Sequence, residues 1–244
     1  MRNNYFNELL TVLKRAFETQ TEILNRCAEK MADVIQNDHL IYVFGAGHAG
    51  IIAEELCYRA GGLVPMIPIF APGLTVNTRP ATLETDLERI SGYASLILKA
   101  SRITRDDLLI IHSNSGRNTV AIEMAEEAQK MGIFVVALTS ITHSQSVTSR
   151  HPKGYKLMDI ADLVIDNCGV PGDAICEIPG VAPRVASTST VVGVALMNSL
   201  VAEITHILHS RGVVPPIFIS SNIDNSTASN QNWMDYYGSR LLYL

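Results

Sequence analysis

Asp107-Leu-Leu-Ile-Ile-His-Ser-Asn-Ser-Gly-Arg-Asn118 joins a short run of branched apolar residues to a turn of small hydroxyl and amide residues, and the turn opens onto a helical pattern. A strand that is apolar without alternation is one covered on both faces, which is the mark of a parallel sheet. When such a strand passes through a small-residue turn into a helix, the helix points its unpaired N–H groups and the positive end of its dipole at the turn. Ser113 and Ser115 offer hydroxyl donors, Gly116 lets the chain wrap closely around a ligand, and the spacing predicts a helix from Arg117 to Met131. The stretch predicts an anion pocket, for which a phosphate ester is the natural occupant.

Working outward, the same alternation recurs. Leu40 to Phe44, Leu63 to Ile69, Ile133 to Leu138 and Leu163 to Ile165 read as further strands, and His48 to Ala60 and Leu83 to Ala100 as helices between them. This order predicts an α/β fold: a doubly wound, mostly parallel five-stranded sheet flanked by helices, with ligands at the carboxyl ends of the strands. Residues 5 to 36 space their apolar positions as a long amphipathic helix or a pair. The helix predicted from Thr190 to Ser210 is apolar nearly all round, which places it in the core or in a subunit contact. Residues 215–244 combine a short strand, a Ser/Asn/Asp turn region and a short aromatic helix. The organisation expected is an N-terminal helical segment (1–36), one domain (37–214) and a C-terminal tail (215–244) packing on it. The connection from 71 to 82, with Asn77 and Arg79, is long enough to close over a pocket.

Composition narrows the partners. The 244 residues carry 19 Lys and Arg against 24 Asp and Glu, a formal charge of −5, with no basic run that could track a polyanion. Nucleic acid and anionic membrane surfaces are therefore excluded as expectations, and the phosphate should be small. The apolar runs are strand-sized or amphipathic, and Met1-Arg-Asn-Asn-Tyr-Phe6 lacks the basic-then-apolar order of a signal peptide. A cytoplasmic location follows as the expectation. Cys27, Cys57, Cys168 and Cys176 contain no Cys-x-x-Cys pair and are expected as free thiols.

The first strand leads into Gly45-Ala-Gly-His-Ala-Gly50, which has the Gly-x-Gly-x-x-Gly spacing of dinucleotide-binding turns. A nicotinamide site also needs an acid about 20 residues further on for the ribose hydroxyls. No Asp or Glu lies between Leu56 and Leu83, so no cofactor is expected. Gly45 and Gly47 either serve tight helix-to-strand packing alone or, facing the second loop, form one wall of a crevice.

Gly45-Ala-Gly-His-Ala-Gly50, Ser113-Asn-Ser-Gly-Arg-Asn118, Val135-Val-Ala-Leu-Thr-Ser140 and Ala182-Pro-Arg-Val-Ala-Ser-Thr-Ser-Thr190 resemble, in order and spacing, the SIS (sugar isomerase) domain, over residues 36 to 210. Within it the chain resembles the phosphoheptose isomerase branch and a group of bacterial SIS proteins with a similar Ser-Ser-Asn and Tyr-x-x-Arg tail. The resemblance implies the flavodoxin- or Rossmann-like SIS fold, a sugar phosphate ligand, and a homodimer or homotetramer with sites between subunits. It sets Ser113, Asn114, Ser115, Gly116 and Asn118 on the phosphate loop and Ser187, Thr188 and Ser189 on a second hydroxyl cluster, where helix capping is the competing role. His48 stands where Ser or Thr is common and either touches a sugar hydroxyl or fills the turn.

The activity so implied is aldose–ketose isomerisation through an enediol, which needs a carboxylate near C1 and C2 and often a histidine. Glu55 falls on the segment that carries the general base in phosphoheptose isomerases, after a shorter loop; Glu55 and Arg59, four apart, also fit an ordinary helix-surface pair. Counting from other SIS isomerases makes Arg59 the sugar-facing position instead, and Glu177 falls where several of them place an acid. His206, on one stripe with Asn198, Ala202 and His209, matches the histidine acting as second catalytic group, or is a hydrogen-bonded core residue. Some relatives bind zinc with a histidine where this chain has Ile51, so no metal site is expected. Alternatives from the same resemblance are a non-catalytic phosphosugar sensor and an etherase-like lyase acting on N-acetylmuramic acid 6-phosphate. Thr139, Ser140 and Ser144 near the fourth strand's end are further lining candidates.

Overall fold

The computed structural model describes residues 2–224 and 226–243. β1 (Ile41–Gly45), β2 (Met66–Ile69), β3 (Leu108–His112), β4 (Phe134–Thr139) and β5 (Leu163–Asp166) form one sheet in the order β2-β1-β3-β4-β5. Every pairing is parallel. Ile41 pairs with Leu108 and Gly45 with His112, so β1 and β3 end side by side. All residues of β1 and β3 are buried, as expected of central strands covered on both faces.

Helices cover both faces. On one lie α2 (Thr21–Gln36), α3 (Ile51–Leu56) and α9 (Ser189–Ser210), joined by the end of α1 (Arg2–Thr19) through Val12 and Ala16. On the other lie α5 (Tyr93–Ser101), α6 (Thr119–Lys130), α8 (Leu157–Ile160) and α10 (Ser226–Tyr237). The chain leaves β1 toward the first face and β3 toward the second, which makes the gap between their ends the topological switch point of the sheet. Short α4 (Ala81–Leu87) and α7 (Ile141–Gln145) lie in the connections after β2 and β4.

Of the two alternatives for residues 5 to 36, the chain forms the pair of helices, separated at Gln20. Two segments differ from the expectation. The single helix expected from Leu83 to Ala100 breaks into α4 and α5 because Gly92 takes φ 85° and the Glu123 carboxylate of α6 accepts from Ser91 Oγ and the Gly92 N–H. The segment after β5 forms an antiparallel hairpin, β6 (Ala174–Ile178) and β7 (Val181–Ser187), turning at Pro179-Gly180. In the tail, Leu63 pairs antiparallel with Ile217, and Trp233 and Tyr237 of α10 join the second face of the core.

Among the described residues α9 alone has the length and apolarity to cross a membrane, and half of that window is buried inside the protein. Val192, Leu196, Met197, Leu200, Ile204 and Leu208 are at most 1 % exposed, and burying each such side chain contributes roughly 1.5–3 kcal/mol. The four cysteines are free thiols.

Candidate functional site

Two loops face each other at the switch point. The loop after β3 is built from its own serines and from β4 and β5 beneath it. Gly116, at φ 58°, donates its N–H to Ser113 O (3.1 Å) and Ser113 Oγ (3.2 Å), closing a tight turn that only glycine makes without strain. Thr139 Oγ1 donates to Ser113 O at 2.7 Å and Asn114 O at 3.1 Å, and Asn167 Nδ2 donates to Asn114 Oδ1 at 2.9 Å. Asn114 is thus turned into the scaffold. Among the described residues, the backbone N–H groups of Ser115, Arg117 and Asn118 and the Ser115 hydroxyl have no protein acceptor. Together with the N-terminus of α6 they form a cradle of donors.

Asn118 opens α6 without a side-chain cap; its Oδ1 instead accepts from Arg150 Nη1 at 2.7 Å. Burial and then the neighbouring charges of Arg117 and Arg89 depress the basicity of Arg150, against the pull of Glu88. The cradle is electropositive as well as donor-rich. Under it the Ser144 hydroxyl is fully buried without a hydrogen-bond partner among the described residues, in ordinary contact range (3.5 Å) of where a Cβ on Gly116 would lie. Of the sequence's lining candidates, Thr139 and Ser140 act as supports, Ser140 Oγ donating to Gly169 O.

The loop after β1 is shaped by close approaches. A Cβ on Gly45 would meet Ala49 O at 2.4 Å, and one on Gly50 would meet Gly45 O at 2.9 Å, so these glycines serve backbone packing. Gly47, at φ 56°, donates its N–H to Leu74 O and pairs with Thr75. The connection after β2, considered above as a cover, is therefore stitched to this loop. It continues into α4, which crosses the crevice: a Cβ on Gly47 would lie 2.9 Å from Glu84 Oε1, and Glu88 O accepts the Val120 N–H at 3.0 Å. Burial pushes the carboxyls of both Glu84 and Glu88 up from the usual range; the Glu84 charge adds to the rise at Glu88, and the Asn118 side chain and Arg150 oppose it. His48 is exposed on the same loop.

The second hydroxyl cluster also lies at this end of the sheet. Asp173 Oδ1 accepts from the N–H of Thr188 (3.1 Å) and Ser189 (2.8 Å), and Asp173 Oδ2 from Ser189 Oγ (2.6 Å). An aspartate from the neighbouring hairpin thus caps α9 and engages two of the three residues, while Ser187 is exposed and its carbonyl accepts from Tyr5 Oη. Glu177 is exposed on β6 and pairs with Arg184 of β7. Glu55, half-buried on α3, accepts from Arg59 and from Asn198 Nδ2 of α9 (3.0 Å). Arg59 is exposed beyond the end of α3, beside the tail residues Phe218 to Asn222. His206 is exposed on α9. No hydrogen bond or ion pair links Glu55, Arg59, Glu177 or His206 to residues 113–118 among the described residues, and no group of three or more His, Cys, Asp or Glu could hold a metal there.

Sequence reasoning did not single out Glu84, Glu88, Arg89, Arg150 or Asp173. Arg150 and Asp173 lie in loops that fold back over the site, and the two glutamates sat inside what read as one long helix. The Pro179-Gly180 dipeptide was the one readable signal for the hairpin that positions Asp173.

The SIS domain family model matches residues 4–140. A UPF0309 protein of Shouchella clausii is 40% identical over 240 residues, covering 98% of each chain. Among solved structures, the phosphoheptose isomerase from Neisseria gonorrhoeae superimposes with a TM-score of 0.55 at 19% identity, covering 84% of this chain and 96% of that one. The Vibrio vulnificus NanR protein complexed with ManNAc-6P does so with a TM-score of 0.54 at 18% identity, covering 96% of this chain and 67% of that one. With its five-stranded parallel sheet and paired loops at the switch point, the chain belongs to the SIS domain family, among the UPF0309 proteins.

Proposed function

We propose that the crevice between the β1 and β3 loops binds a sugar phosphate and that the protein interconverts its aldose and ketose forms through an enediol. The observation that carries the reading is the cradle of N–H groups at Ser115, Arg117 and Asn118, without an acceptor among the described residues, set at the start of α6 and flanked by arginines. The shared fold with a phosphoheptose isomerase and with a protein holding ManNAc-6P supports it. Ser113 and Ser115 supply hydroxyls to the phosphate, Gly116 permits its close approach, and Gly45, Gly47 and His48 line the facing wall.

A second copy of the chain completes the assembly in this reading. Phe6 (61 % exposed) and Leu10 of α1, Val181 and Val185 of β7 and Val191 of α9 present apolar side chains to solvent. Glu55 and His206, on α3 and α9, and Glu177, on the hairpin, are the sequence's choices for proton transfer. The free thiols and the core packing of α9 support a cytoplasmic location.

The test is thermal unfolding of the purified chain with pentose, hexose, heptose and amino-sugar phosphates, beside Ser115→Ala. A ligand at 100 times its Kd stabilises by about 2.7 kcal/mol, which is roughly 2–4 °C per kcal/mol at this length. A shift for one sugar that vanishes in the variant supports the reading, and no shift for any defeats it. Binding without interconversion would make the protein a sensor, whereas release of lactate from N-acetylmuramic acid 6-phosphate would make it a lyase.

A further inference from the structure

Resting on that isomerase reading, we propose that Glu84, carried across the crevice by α4, is the carboxylate that transfers the proton between C2 and C1 of the bound sugar phosphate.

The placement is specific. The Glu84 carboxylate rests on the α-carbon of Gly47, where a Cβ would come within 2.9 Å of Oε1 and 3.0 Å of Cδ. Any other residue at position 47 would push it away. The connection that carries Glu84 is fixed to the same loop by the Gly47 N–H to Leu74 O bond of 2.7 Å and the Thr75 bridge. Four residues on, the Glu88 carbonyl accepts from the Val120 N–H in the first turn of α6, and its side chain lies beside Asn118 at the end of the phosphate loop. Four residues of helix rise about 6 Å, so α4 spans from the phosphate cradle to the opposite wall. A sugar anchored by its terminal phosphate on Ser113–Asn118 would extend along that span, its carbonyl end toward Gly47.

The electrostatics agree with a catalytic rather than a structural carboxylate. Neither glutamate is in an ion pair among the described residues. Glu84 has only the Thr85 side chain and the charge of Arg89 to favour its ionised form against burial, and a half-buried carboxylate held so lightly in a crevice is a candidate for function. Burial raises the Glu84 carboxyl from the usual range, the direction that makes a carboxylate a better proton acceptor. Arg89 and Arg150 offset the carboxylates' repulsion of a phosphate.

The step balances within the sugar. Ionised Glu84 takes the C2 proton of the open-chain aldose phosphate, the C–H electron pair becomes the C1–C2 double bond, and the C1 carbonyl pair moves onto O1, which gains a proton from solvent. The protonated Glu84 then returns a proton to C1 as O2 gives up its own and the C2 carbonyl forms. C1 is reduced and C2 oxidised, and no external oxidant or reductant enters.

The experiment uses the full-length protein, the sugar phosphate that most raises its Tm, and proton NMR in D2O to follow interconversion and deuterium incorporation. Glu84→Gln should keep the ligand-induced rise in Tm and lose at least about a hundred-fold in both turnover and exchange, with Glu84→Asp partly restoring them. Turnover of Glu84→Gln within about threefold of wild type would overturn the assignment and leave the isomerase reading standing, all the more if Glu55→Gln is inactive. A wild-type protein that is stabilised by the sugar but neither interconverts nor exchanges it would overturn both.

Discussion

His112 Nδ1 lies 3.0 Å from the carbonyl oxygen of Ala49, tying the last residue of β3 to the loop after β1. The carbonyl can only accept, so Nδ1 carries the proton and Nε2, without a partner among the described residues, is bare. One buried imidazole thereby sets the relative height of the two loops that form the crevice.

His112 predicts a pH dependence of stability. Burial pushes its pKa down, against the pull of Ala49 and Asp173 upward, so the folded protein does not take a proton that the unfolded chain takes below about pH 6.5. The unfolded state then binds more protons, and the contribution present above pH 6.5 is lost as pH falls. His112→Gln should therefore narrow its Tm deficit to wild type between pH 7.5 and pH 5. A deficit constant with pH would show that the imidazole titrates alike in both states.

Glu88 predicts the opposite sign. Its carboxyl is raised by burial and by Glu84, so the folded state holds a proton that the unfolded chain has already released. Stability from this group is greatest below its unfolded value and is lost as pH rises through the folded one. Glu88→Gln should raise Tm at pH 7.5 and lose that advantage near pH 4.5, in unfolding curves measured on both proteins.

Asp173 caps α9 from outside the helix, at φ 65°. Asp173→Ala removes the acceptor for two backbone N–H groups and two hydroxyls and keeps the left-handed backbone; we expect a loss of about 1–2 kcal/mol. Asp173→Gly loses the same bonds without the backbone penalty and should fall less. Urea midpoints of the two variants decide it, and equal losses would count against the strain.

Gly47 and Glu84 should be coupled. Gly47→Ala meets both the strain of a backbone at φ 56° and ψ −129°, about 1–3 kcal/mol, and the Glu84 carboxylate. Truncating Glu84 to Ala removes only the second obstacle. The double variant should therefore be more stable than the sum of the singles predicts, by at least about 0.5 kcal/mol. Strict additivity would mean the carboxylate moves aside freely.

These residues also show where sequence was readable. Leu108 to Ile111 announced a doubly covered strand because burial on both faces leaves no polar alternation, and Ser113 to Asn118 announced a loop because turn chemistry is local. Glu84 stayed hidden, since its place above Gly47 depends on α4 ending early, which Glu123 of α6 enforces from about thirty residues away through Ser91 and Gly92. Asp173 stayed hidden for the same reason: capping rules look at the residue before a helix, which is Thr188, whereas the acceptor comes from the far side of a hairpin. β7 is exposed along its whole length, so it has no buried face to impose a period.

The packing of α9 on α3 turns on Gly193. A Cβ there would stand 2.8 Å from Ile52 Cδ1 and 3.3 Å from Leu138 Cδ2, and both neighbours are fully buried. Replacing a mid-helix glycine by alanine ordinarily gains about 1 kcal/mol, while overpacking a closed core costs about 1–3 kcal/mol. The second effect should win, since Ile52 has the sheet behind it, so Gly193→Ala alone should lower the urea midpoint. Ile52→Val, which deletes the blocking methyl, should cost about 0.5–1.5 kcal/mol alone yet make room for the alanine. The double variant should therefore match or exceed Ile52→Val. Should Gly193→Ala instead stabilise the wild-type background, Ile52 has a free rotamer to retreat into, and the fit of α9 against α3 would be looser than these contacts imply.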